Sequence, residues 1–163
     1  DGNYSYTFIT DNSTIYSIQF DLSFYDKYLA EFPLLLSNGY AFSIFCKPAT
    51  LDEKKSFDEG IRNTIFMIVW KQYRYCGDDA VLLFHCEPSD NRQRQRHILF
   101  GTWFRSVEFS HEYKKESLEV EVSGEVPQKH YIGYIAKKTN TKIDQLEEEF
   151  DKFSYFMIGA KSA

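Results

Sequence analysis

The run Ala80-Val81-Leu82-Leu83-Phe84-His85-Cys86 sets the tightest limit on what this chain can fold into. It is nearly continuous in apolar residues, too short for a buried helix and of the right length for a strand. A strand without a polar face must be covered on both sides, so this one belongs in the middle of a sheet. The rest of the chain has to supply neighbouring strands and two covering layers.

The flanking patterns supply them. Tyr4 to Thr10 alternates, with Tyr4, Tyr6 and Phe8 on one side and Ser5 and Thr7 on the other. Thr14 to Phe20 alternates again, with Tyr16, Ile18 and Phe20 on its apolar face. Asp11-Asn12-Ser13 between them reads as the turn of a hairpin. Residues 21 to 39 are aromatic and irregular, with a short helix expected near Phe24 to Glu31 and a turn at Ser37-Asn38-Gly39. Tyr40 to Lys47 is the third strand. Ser56-Phe57-Asp58-Glu59 has the form of a capping box. The helix after it carries apolar residues at 57, 61, 65, 68, 69 and 73 and ends near Cys76-Gly77. A second helix is expected from about Asp90 to Arg105. Glu116 to Ser123 and His130 to Lys138 form a hairpin around Gly124-Glu125-Val126-Pro127. Ile143 to Phe153 is a last amphipathic helix, with Ile143, Leu146, Phe150 and Phe153 along one side.

The order β-β-β-α-β-α-β-β-α gives an α+β class with a mixed, mostly antiparallel sheet. The third strand, first long helix and central strand form a right-handed crossover, so those two strands run parallel. No linker or repeat divides residues 1–163, which read as a single domain.

Composition narrows the function. Fifteen Phe and twelve Tyr predict a core of large flat side chains. A net charge of −5 argues against general nucleic-acid binding, which needs clustered cations facing the phosphates. The three cysteines, Cys46, Cys76 and Cys86, lack metal-ligand spacing and are odd in number. They read as buried thiols in a reducing compartment, which makes a cytoplasmic location the expectation. No metal site is legible. No run reaches the length of a membrane span, so no membrane partner is expected. Asn12-Ser13-Thr14 is taken as a turn. The chain begins at Asp1-Gly2 without Met, which leaves its native start open.

One segment calls for a ligand. Cys86-Glu87-Pro88-Ser89-Asp90-Asn91-Arg92-Gln93-Arg94-Gln95-Arg96-His97 leads from the central strand into the second helix. Asp90 is the expected cap, with Gln93 three residues on. Carrying the stripe Phe100, Trp103, Phe104 and Val107 back by threes and fours places Arg96, Arg92 and Gln93 toward the core. A helix start past a strand's C-terminal end offers free N–H groups suited to an anion, and guanidiniums add forked donors. The candidate ligand-binding residues are therefore Asp90, Arg92, Gln93 and Arg96. The structural alternative pairs these arginines with Asp90, Glu87 or Glu59. His85, or a tyrosine, is the candidate proton carrier of an enzyme reading, and the catalytic residues are otherwise unknown.

Two resemblances follow from these residues. Ser89-Asp90-Asn91-Arg92-Gln93, then Arg96, Phe100, Trp103 and Phe104, resembles an uncharacterised bacterial family whose hallmark reads S-D-G-R-Q-x-x-R followed by F-x-x-W-F. Asn91 stands for the hallmark's Gly, and both tolerate left-handed conformations. The order of elements is similar to the core of the acetyl-CoA-dependent N-acetyltransferases. That resemblance implies an acyl-CoA cofactor held by a glycine-rich loop before the first long helix. Here the loop, Lys54-Lys55-Ser56-Phe57-Asp58-Glu59-Gly60, has one Gly and two acidic residues where a phosphate would approach. The preferred reading is a non-catalytic domain that needs no cofactor and binds a small anionic ligand or a partner. The alternatives are a divergent acyl-CoA-dependent N-acyltransferase, and an interaction domain or homodimer using aromatics from Phe24 to Phe32.

Overall fold

The central run does become a strand covered on both faces. The computed structural model describes residues 3–21, 29–47, 59–86, 91–122 and 126–161. Their elements are β1 (Asn3–Ile9), β2 (Ile15–Asp21), α1 (Pro33–Asn38), β3 (Gly39–Lys47), α2 (Glu59–Cys76), β4 (Val81–Cys86) and α3 (Gln93–Ser106). A 3-10 turn at Glu108–Glu112 then leads to β5 (Tyr113–Val122), β6 (Gln128–Lys137) and α4 (Ile143–Lys161). The class is α+β, with one mixed six-stranded sheet in the order β1-β2-β3-β4-β6-β5. β3 and β4, joined through α2, are parallel, and every other neighbouring pair is antiparallel.

Alternation along β4 divides the core. Leu82 and Phe84 join Ile18, Phe20, Phe42 and Ile135 beneath α2 and α3. Val81 and Leu83 point the other way, with Tyr134 and Ala136, against Leu35 of α1 and Leu146, Phe150 and Phe153 of α4. No described helix is long and apolar enough to cross a membrane.

Several sequence expectations shift. The helix expected near Phe24 to Glu31 falls largely on residues 22–28, outside the described ones. A helix instead occupies Pro33–Asn38, through the expected Ser37-Asn38-Gly39 turn. Pro33 suits a first helical position because its missing N–H costs no helical bond. Ser37 and Asn38 bond back to the carbonyls of Pro33 and Leu34. The start of α1 is capped from far along the chain. The Glu149 carboxylate of α4 accepts the amides of Leu34 at 3.0 Å and Leu35 at 3.2 Å. Glu149→Ala should therefore lower stability by about 1 kcal/mol, as loss of a cap does. An unchanged urea midpoint would show that the cap carries no net energy.

The capping box at Ser56 and the turn at Gly124 lie outside the described residues. β5 starts at Tyr113, three residues before the expected Glu116, because Tyr113 is buried against Tyr73 with ring centroids 4.7 Å apart. The last helix runs past Phe153 to Lys161. Phe32, expected among exposed docking aromatics, is buried against Phe153 with centroids 5.6 Å apart. The three cysteines are free but half-buried, where full burial was expected.

Candidate functional site

The sheet opens at the end of its central strand. The β3–β4 ladder runs from Gly39↔Val81 only to Phe42↔Phe84. β3 continues to Lys47, still paired with β2, and β4 continues to Cys86, still paired with β6. The two halves of the sheet part there. Among the described residues no strand lies beside Ser43–Lys47 on the side away from β2. Ile44 and Phe45 on this stretch are exposed.

α3 follows β4 in the chain and lies over β4 and β6, but it does not begin as the sequence suggested. Asn91 has φ 57°, in the left-handed region, and Arg92 at φ −111° and ψ 12° is the capping residue. A right-handed helix cannot pass back through a left-handed residue, so α3 opens at Gln93. Gln93 is then the first helical residue, and the expected pairing with an Asp90 cap does not describe this end. Arg92 makes no side-chain cap hydrogen bond. Asp90 itself lies outside the described residues. Of the two arginines expected to point inward, Arg96 is half-buried and Arg92 is exposed. Neither stands without a partner. Glu59, one of their expected structural partners, has its carboxylate 2.8 Å from Arg62 on its own helix.

Beneath the first turns of α3 the sheet is polar. Register places Cys86, Tyr131 and Glu119 in one row across β4, β6 and β5, and Phe84, Gly133 and Ser117 in the next. The His97 ring stacks on Tyr131, with centroids 4.6 Å apart and planes 15° apart. The Tyr131 hydroxyl donates to the Glu119 carboxylate at 3.0 Å, and Lys129 pairs with the same carboxylate. These partners hold the Glu119 carboxyl below its usual range. Gln93 Oε1 and His97 Nδ1 are both buried atoms without a hydrogen-bond partner. They project from successive turns of one helix face.

Lys115 completes this seam. It extends from β5 with its ammonium 4.9 Å from the centre of the Phe84 ring and 5.8 Å from that of Phe100. Burial lowers its pKa, and the Arg105 guanidinium acts in the same direction. Burial raises the Cys86 thiol, which keeps it protonated, while Arg96 and Lys115 pull the other way. Burial lowers the His97 pKa, with Lys115 adding to it and Glu119 opposing. A histidine depressed in the folded state is protonated more readily in the unfolded chain. Its contribution is present above the unfolded value and is lost as pH falls below it. Lowering the pH from about 7 to about 5 should therefore destabilise the protein. His97→Phe, which keeps the stack on Tyr131, should flatten that decline in thermal melts. An equal slope in both proteins would remove His97 as the cause.

His85 faces the opposite side of the sheet. Its Nε2 lies 2.9 Å from His130 Nδ1, and the rings stack with centroids 5.1 Å apart. His130 is buried. The candidate proton carrier is thus directed away from the seam and tied to another imidazole. Among the described residues no group of three or more His, Cys, Asp or Glu could hold a metal ion.

The structure therefore brings Arg96 and His97 together with Lys115, Tyr131 and Cys86, with Gln93 one turn earlier on α3, and leaves His85 on the other face. Comparison of the chain with protein-family models, with curated proteins and with solved structures gives no match in any of the three. Lys115 and Tyr131 lie on strands whose pairing brings them to α3, which no local pattern states. The four-residue spacing of Gln93 and His97 was a signal available in the sequence.

Proposed function

We propose that the protein binds a small anionic ligand where β3 and β4 part, beside the first turns of α3, as a non-catalytic binding domain. The observation that carries this reading is the ladder that stops at Phe42↔Phe84 while both strands continue. On this reading the parted strand ends leave room toward the start of α3, where free N–H groups and the positive end of the helix dipole favour an anion. Arg92 and Arg96 add charge at the same end. Thermal melts test it at matched ionic strength. Phosphate or carboxylate salts should raise the Tm relative to chloride, and Arg92→Ala/Arg96→Ala should remove the rise. Equal melting in all salts would sink the reading.

A second reading, a divergent acyl-CoA-dependent N-acyltransferase of N-acetyltransferase-like fold, draws on the same gap. An extended chain bearing amides, such as a pantetheine arm, can hydrogen-bond along an open strand edge like the one at Ser43–Lys47. Against it stands Glu59 in the first turn of α2, which places negative charge where that resemblance expects a pyrophosphate. Stabilisation by acetyl-CoA well beyond that by phosphate, with thiol release when an amine is added, would favour the enzyme. Stabilisation by simple anions alone would favour the binding domain.

A further inference from the structure

Lys115 is a half-buried cation in the sheet whose surroundings do not balance it. Lys114 is paired with Glu147, Lys129 with Glu119 and Lys137 with Asp78. Lys115 is half-buried, yet among the described residues its ammonium has no carboxylate within ion-pair distance. Its neighbours are two aromatic faces, the protonated Cys86 thiol, and Arg105, whose charge repels it. Glu116 is next in sequence but on the opposite face of β5, and it lies 3.8 Å from Lys114. Glu119 on the near face is engaged by Lys129 and Tyr131.

Taking an ammonium out of water is costly unless an anion or several acceptors replace the water. Aromatic faces compensate part of that cost. The remainder, with His97 Nδ1 unpartnered nearby on α3, describes a site lacking one component. We infer that this component is the carboxylate of a small organic acid, seated on Lys115 beneath α3. The inference deepens the anion-binding reading above and rests on it. Charge decides between a carboxylate and a phosphate. One half-buried ammonium is unbalanced here, the neighbouring Arg105 guanidinium is exposed to water, and Arg96 already has partners, so a single negative charge completes the seam while a dianion leaves an excess. Buried Phe84 and Phe100 make the adjoining wall apolar, which suits a short hydrocarbon tail.

The test uses the whole chain in chloride buffer, titrated at constant ionic strength with formate, acetate, propionate or inorganic phosphate. Acetate and propionate should raise the Tm saturably, by about 3–6 °C at ten times the Kd, with phosphate giving less. Lys115→Met should lose the carboxylate response while keeping its fold by circular dichroism, and Lys115→Arg should keep part of it. If Lys115→Met proves unfolded, Lys115→Gln takes its place. A carboxylate response that persists in the uncharged variant overturns the inference but leaves anion binding at Arg92 and Arg96 standing. A response to phosphate alone overturns the choice of carboxylate. No response to any anion in the unaltered protein removes both readings.

Discussion

Phe100→Ala is expected to destabilise the protein by about 3–5 kcal/mol, the range for removing a large buried aromatic. Phe100 is buried at the point where the two halves of the sheet begin to part. Its ring centroid lies 5.7 Å from Phe42 on β3, 5.1 Å from Phe84 on β4 and 5.7 Å from Phe66 on α2. Phe42 and Phe84 are the last rung of the parallel ladder. Beyond that rung no backbone bond between β3 and β4 holds the halves together, and α3 does so through this side chain. Deleting it leaves a void between three elements that cannot all close on it. For a chain of this size the Tm should fall by about 2–4 °C per kcal/mol lost. Trp103→Ala, at a partly buried position on the same helix, should cost less. A loss for Phe100→Ala below about 1 kcal/mol would mean that the neighbours collapse into the space, and that α3 is not what joins the halves.

Much of this arrangement was legible in the sequence. The unbroken apolar run forced a covered central strand. The alternating Tyr16, Ile18 and Phe20 gave a strand with one buried face, and all three are buried. The β-α-β connection predicted the parallel pair that is observed. Expectations failed where distant residues decide local form. α1 is capped by a carboxylate 115 positions away, so apart from Pro33 itself little in the local sequence announces it. The start of α3 was misplaced because Asp90 and Gln93 fit a capping pattern, while Asn91 adopts the left-handed conformation that the resemblance to a Gly position had itself suggested. Lys115 was missed for a related reason. On β5 the apolar residues Leu118 and Val120 mark one face as buried, so the face bearing Lys115, Ser117 and Glu119 reads as solvent. It is α3, more distant in sequence, that covers it.

Gly133→Ala makes the second large demand on the fold. Gly133 sits opposite Phe84 on β6 and beside Ser117 on β5, in the row under Phe100. A methyl group there would lie 2.5 Å from the Glu116 carbonyl oxygen and 2.7 Å from Phe84 Cε1, and closer still to Cζ. Neither neighbour has freedom to yield. The carbonyl belongs to the β5 backbone, and the Phe84 ring is held between the sheet, Phe100 and the Lys115 ammonium. Overpacking of this kind should cost about 2–3 kcal/mol. Phe84→Leu in the alanine background should return part of that loss, because it shortens the side chain that clashes. It should not return all of it, because the carbonyl contact remains. A neutral Gly133→Ala would mean that Phe84 does not lie flat on the bare α-carbon. The same substitution bears on the seam beneath α3, since a displaced Phe84 ring no longer supports the Lys115 ammonium. The Gly133→Ala protein should therefore lose its carboxylate-dependent rise in Tm along with its stability. A protein that melts lower but keeps the full carboxylate response would separate the packing of this row from the binding of the anion.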